Sequence, residues 1–119
     1  MTTISKPVVH LELHTGNLPS ACAFATEVFG WHAEKVTIGS ASYLALGLGN
    51  GIEGGVVEHD TEQSLWLPYV QVPDIAEASR RALGLGATVA LEPREGPVGW
   101  RSVITSPAVG AMALWQPKH

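Results

Sequence analysis

The stretch VVHLELHTGN, residues 8–17, alternates Val9, Leu11 and Leu13 with His10, Glu12 and His14. That period of two is the signature of a strand with one apolar and one polar face. A helix is predicted directly after it. Asn17 can accept a hydrogen bond from the first turn, Pro19 sits where a missing N–H costs nothing, and Gly30 suits a left-handed terminus. Leu18, Ala21, Phe24, Ala25 and Val28 share one side of that helix, its predicted core face. Short strands follow at 34–38, 42–48 and 52–57, with Asn50-Gly51 as a hairpin turn before the last.

The same order then recurs. Residues 65–72 read as a strand, and Asp74 with Glu77 makes a capping-box-like start to a helix whose core face includes Ile75, Ala78 and Leu83. Strands are predicted at 88–91, 100–105 and 111–115, separated by the turn clusters PREGPVG and SPAVG. Setting His10 against Leu67 brings Leu13 onto Val70, Asn17 onto Asp74, Leu18 onto Ile75 and Ala21 onto Ala78. A strand, a helix and three strands are therefore written twice, over 7–58 and 65–117, with the polar segment EHDTEQS, residues 58–64, as the link.

With 119 residues, the chain has room for one domain. A composition of 45% hydrophobic and 15% charged residues is that of a packed globular protein. The formal charge of −4 and the scattered basic residues exclude nucleic acid and anionic membranes as expected partners. No apolar run is long enough for a signal peptide or a membrane span, so a cytoplasmic protein is expected. Cys22, the one cysteine, stands in an apolar stretch and is expected as a buried thiol, not a nucleophile. Gly47, Gly49 and Gly51 lead into a hairpin, not a helix N-terminus, and are read as turn glycines, not a nucleotide loop.

Three segments carry a resemblance: ELHTGNLPSACAFATEVFGW, LWLPYVQVPDIAEA and TSPAVGAMALWQP. In their order and spacing the chain resembles, over nearly its whole length, the vicinal oxygen chelate superfamily. That group includes glyoxalase I, bleomycin-resistance proteins, fosfomycin-resistance enzymes and extradiol dioxygenases, and the likeness is to its glyoxalase-like bacterial branch. The resemblance implies an α+β fold in which two βαβββ units form a cupped, mostly antiparallel sheet with helices outside. It also implies a homodimer that covers sheet edges and apolar surface. A divalent metal, where the superfamily holds one, takes one ligand from each of four strands. Carried onto this sequence, those positions are His10, Gly55, Leu67 and Ala113. Only His10 has a donor side chain, and a hard divalent ion needs several oxygen or nitrogen ligands. The usual four-ligand site is therefore expected to be absent, and no cofactor is expected.

Two readings of His10, Glu12 and His14 stay open. Side chains two apart on a strand are about 6.5 to 7 Å apart along it, so a neighbouring pair can share an ion but all three cannot converge. Glu53 is expected on the same face as a further donor, so a metal on His10 is one reading and a solvated polar face the other. Tyr69, Gln71, Ala111 and Trp115 are predicted to line the same cavity, with Met112 and Leu114 turned to the helix side. Gly55, Leu67 and Ala113 would leave it mostly apolar, suited to an aromatic or apolar metabolite or antibiotic. Trp100 and Arg101 are read either as a lip at its mouth, with Arg101 available to an acidic ligand, or as surface loop. The expected function is a small-molecule binding protein of the bleomycin-resistance type. The alternative is a lyase, isomerase or dioxygenase of the glyoxalase type that uses His10 and Glu12 as metal ligand, acid or base. His59 and His119 are expected to be solvated.

Overall fold

The structure, a computed structural model, describes residues 8–38, 41–48, 53–96 and 98–118. The Asn50-Gly51 turn, Gly49 and His119 lie outside the described residues. The elements run β1 (Val8–Thr15), α1 (Leu18–Val28), β2 (His32–Ile38), β3 (Ala41–Gly47), β4 (Glu53–Glu58), β5 (Leu65–Gln71), α2 (Ile75–Gly84), β6 (Thr88–Glu95), β7 (Gly99–Ser106) and β8 (Gly110–Pro117). This is the α+β class with the βαβββ plan written twice, as the sequence predicts. The chain divides into two compact units, Val9–Leu67 and the chain from Pro68 onward with Val8, so the division falls inside β5 and not in the polar link.

In the first unit the strand order is β2-β3-β4-β1. β1 and β4 are parallel, whereas β2 with β3 and β3 with β4 are antiparallel. One face carries the core of Leu13, Ala25, Leu46 and Val56, with Leu18, Ala21 and Leu44 packed against it. The helix meets this core through Leu18, Ala21 and Ala25, a spacing of three and four residues. The expectation that Phe24 and Val28 join it is corrected: they are 58% and 61% exposed. Small alanines on the contact stripe leave room only for a close approach, and the two larger side chains flank it. Phe24 instead packs edge-on against Phe29, and Phe29 against Trp31.

In the second unit the order is β5-β8-β7-β6. β5 and β8 are parallel, and the β8–β7 and β7–β6 pairs are antiparallel. Val72, Ile75 and Leu114 form the core, joined by Val70, Ala78, Trp100 and Ile104. Leu83, expected in the core, is 51% exposed because it stands off the 75-78-79 stripe. That stripe includes Ser79, whose hydroxyl is 3.2 Å from that of Ser102 on β7, a buried polar pair that satisfies itself. β6 runs on to Glu95, past the turn expected from Pro93. The β6–β7 register shifts between Val89 and Leu91 and again between Leu91 and Arg94. Pro93 falls in the second irregularity of a strand that ends the sheet order, a place where its missing N–H is tolerated.

Both helices begin in the same way. Asn17 Oδ1 accepts from the Ser20 N–H at 3.1 Å, and Asp74 Oδ1 accepts from the Glu77 N–H at 3.0 Å. A second acceptor comes from the last strand of each unit: Glu58 takes the Leu18 N–H at 2.9 Å, and Gln116 takes the Ile75 N–H at 2.8 Å. Two of the orphan donors at each helix start are satisfied, by acceptors that occupy equivalent places in the two copies. Glu77 does not close the reciprocal half of a capping box on its own side; its carboxylate lies 3.8 Å from Arg81.

Candidate functional site

The alternation in β1 turns His10, Glu12 and His14 away from the Leu13 core. Across the parallel pairing, His10 stands opposite Glu53 and Glu12 opposite Gly55. Gly55 in turn pairs with Ala45 of β3, and Ala45 with Glu34 of β2, while Gly47 pairs with both Glu53 and His32. One sheet face therefore gathers His10, Glu12, His14, Glu53, His32 and Glu34. A cavity of about 370 Å³ is lined by His10, His32, Glu34, Glu53, Ala45 and Gly47, among others.

Glu12 is the centre of the polar arrangement. Its Oε1 is 2.7 Å from His14 Nε2, and its Oε2 is 3.8 Å from His10 Nε2. His14 Nδ1 is in turn 3.0 Å from His59 Nε2. The two rings are edge-on with centroids 5.2 Å apart, close to the N···N separation plus the two ring radii, so these nitrogens face each other directly. A carboxylate only accepts, so His14 donates to Glu12 through Nε2. His59 is exposed, as expected, and in addition contacts His14. The link segment turns back on β1, with the His59 N–H on the Thr15 carbonyl at 3.0 Å and the Ser64 hydroxyl on Thr15 Oγ1 at 3.1 Å.

In the second unit, Tyr69 pairs with Ala113 and Gln71 with Trp115, and across the next ladder Ala113 pairs with Val103 and Trp115 with Arg101. Arg101 donates to the Tyr69 hydroxyl at 3.3 Å. Tyr69, Gln71, Ala113, Trp115 and Arg101 thus share a face. Trp100 does not. It packs against Val72, Ile75 and Leu114, with the Lys118 ammonium 5.4 Å from its ring, so the adjacent pair Trp100 and Arg101 is split between the two sides of β7. Met112 and Leu114 face α2, as expected, and line an apolar cavity of about 370 Å³ beneath it.

The four positions at which the superfamily places metal ligands can be tested on their chemistry. His10 brings an imidazole. Gly55 brings nothing, and a methyl there would stand 3.5 Å from His10 Nε2, so the histidine ring lies over the gap that glycine leaves. Leu67 and Ala113 are buried hydrocarbon, 5% and 0% exposed. This donor set does not fit a divalent metal, and among the described residues no three His, Cys, Asp or Glu side chains are grouped to hold one. Cys22 is half-buried on α1, and burial first, then the nearby Glu58 carboxylate, pushes its thiol pKa above the usual range.

His32, Glu34 and His59 were not among the residues expected at the site. The signal for the first two is the alternation in HAEKV, residues 32–36, the same device as in β1. Nothing local announces His59, whose role depends on the path of the link.

The sequence matches no family profile and no curated protein. Its structure does have relatives. The chain has the fold of the vicinal oxygen chelate superfamily. Among the solved structures that share it is methylmalonyl-CoA epimerase from Mycobacterium tuberculosis, 14% identical, with a TM-score of 0.68 over 100% of this chain and 94% of that one. A hypothetical protein from Bacillus halodurans C-125 is 12% identical, with a TM-score of 0.70 over 98% and 97%. A Streptomyces coelicolor methylmalonyl-CoA epimerase variant in complex with 2-nitronate-propionyl-CoA is 11% identical, with a TM-score of 0.63 over 98% and 100%. Identities this low establish the shared fold.

Proposed function

We propose that this chain is a small-molecule binding protein of the glyoxalase and bleomycin-resistance type, holding an apolar or aromatic organic ligand without the usual four-ligand metal site. The observation that carries this reading is the replacement of three donor positions by Gly55, Leu67 and Ala113. Within the first unit, β1 keeps a polar face of His10, Glu12 and His14, with Glu12 bonded to His14. Polar groups of this kind orient a ligand in a mostly apolar cavity. The test is native mass spectrometry and elemental analysis of protein purified without chelator, repeated after incubation with Zn, Ni, Mn or Fe(II). A co-purifying organic mass with no metal is the expected result. Near one metal per chain, lost on His10→Ala, overturns the metal-free reading.

A second reading is favoured by one observation, the orientation of Glu12 between two histidines. A carboxylate held in this way, with His10 at 3.8 Å, is equipped to move a proton on an enolisable ligand. Deuterium uptake at carbon 2 of methylmalonyl-CoA in D₂O is the probe, since that compound belongs to proteins of the same fold. Uptake that disappears in Glu12→Gln, with unchanged circular dichroism, supports acid–base catalysis; no uptake by the wild type leaves the binding reading alone.

The proposed protein acts in the cytoplasm and self-associates as a homodimer. Exposed apolar side chains support association: Phe24, Val28, Phe29 and Trp66 among others, with Trp31 edge-on to Trp66 at 5.9 Å. Among the described residues no helix is long and apolar enough to cross a membrane. Sedimentation velocity would show a dimer, and a monomer at all concentrations would remove this part of the reading.

A further inference from the structure

We infer that the second unit carries an anion subsite, built from Arg94, Arg101 and Trp115, for an organic carboxylate or phosphate attached to a flat ring. The inference rests on the binding reading above and names the chemistry of one ligand pole. Arg94 and Arg101 are direct cross-strand partners on β6 and β7, so the two guanidinium groups leave the sheet on the same side. Like charges placed opposite one another repel, and a sheet normally opposes them with acids. Here no carboxylate lies within ion-pair distance of either one among the described residues, and Arg101 makes its hydrogen bond to a neutral group, the Tyr69 hydroxyl. Glu95, which also lines the cavity, is neutralised by Lys118 at 2.7 Å. Both side chains are exposed, and each guanidinium presents the forked donors that grip a carboxylate or phosphate.

Both arginines open into a cavity of about 310 Å³, and Trp115 forms one of its walls. The indole is seated by Gly99. A Cβ built at Gly99 would come within 2.7 Å of the Trp115 ring, so glycine is what lets the ring lie against the β7 backbone. A half-exposed indole wall next to two cations suits a planar anion, with its ring on the tryptophan and its charge on the guanidinium groups.

The test is calorimetric titration of the full chain with 1-naphthoate, 1-naphthyl phosphate and the neutral 1-naphthylmethanol, at low salt and at 300 mM NaCl. Both anions are expected to bind at least about tenfold more tightly than the alcohol, an advantage that shrinks with salt. The ratio of the two anions tells whether carboxylate or phosphate is the better fit. Arg94→Gln should cut anion affinity about tenfold and leave the alcohol unchanged, and Arg94→Lys, which keeps the charge, should recover part of the loss. If the alcohol binds as well as the anions, the anion subsite is overturned while the apolar binding reading stands. If none of the three binds, both are overturned. If Arg94→Gln lowers all three equally, the effect is structural and the subsite is again overturned.

Discussion

At the scale of single residues, two positions carry consequences that their neighbours do not. A methyl at Gly99 would meet the Gln116 carbonyl at 2.5 Å and the Trp115 ring at 2.7 Å. Gly99→Ala must therefore displace the indole. Chemical denaturation should show a loss of about 1–3 kcal/mol, typical of overpacking. Trp115→Ala in the same background should relieve only the ring's share, because the contact with the Gln116 backbone carbonyl remains. Cys22 behaves in the opposite sense to an activated thiol. Burial and the Glu58 carboxylate both favour its protonated form, so at pH 7.5 it should react with a disulfide reagent more slowly than a free thiol of ordinary pKa. Because the pKa is raised, the gap should close as the pH climbs past the ordinary thiol range. Equal rates at pH 7.5 would contradict the assignment.

Individual elements are where the sequence was easiest and hardest to read. Strand alternation in β1 disclosed the His10, Glu12 and His14 face correctly, because a period of two leaves only two sides. It would equally have disclosed His32 and Glu34 had β2 been read from its first residue. Helix faces were less legible. Phe24, Val28 and Leu83 fit an apolar stripe by residue type, but alanine and serine decide where α1 and α2 touch the sheet. Ser79 and Ser102 illustrate the point, since a serine in a core stripe gives no warning that a second serine will face it. Ser79→Ala should cost about 1–3 kcal/mol by leaving the Ser102 hydroxyl buried without a partner, and the double change to alanine should cost less than the single one. A double-mutant cycle with no coupling would show that the pair is not a bonded unit. Trp100 and Arg101 failed as a pair for a simpler reason: adjacent residues on a strand point to opposite faces.

For the whole molecule, duplication was the most legible property, and the helix starts show how deep it goes. Asn17 and Asp74 match in the sequence comparison, whereas Glu58 and Gln116 match only in space, each reaching back from the last strand of its unit to the first helical N–H. Removing either acceptor, by Glu58→Ala or Gln116→Ala, should lower the thermal midpoint by a few degrees, as the loss of about 1 kcal/mol at a helix start does. The candidate site was half legible: polar residues declare themselves, but the contact of His59 with His14 depends on the return path of a polar link, which no periodicity encodes. One feature bears on how the protein survives at high concentration. β6 ends the strand order of its unit, and an end strand offers unpaired backbone groups on which another chain can be templated. Its register shifts and Pro93 interrupt that row, and the charges of Arg94 and Glu95 follow at once. A continuous, uncharged version of the same strand would be a nucleus for fibrils, so Pro93→Thr should shorten the lag time of thioflavin-detected aggregation without requiring any loss of native stability.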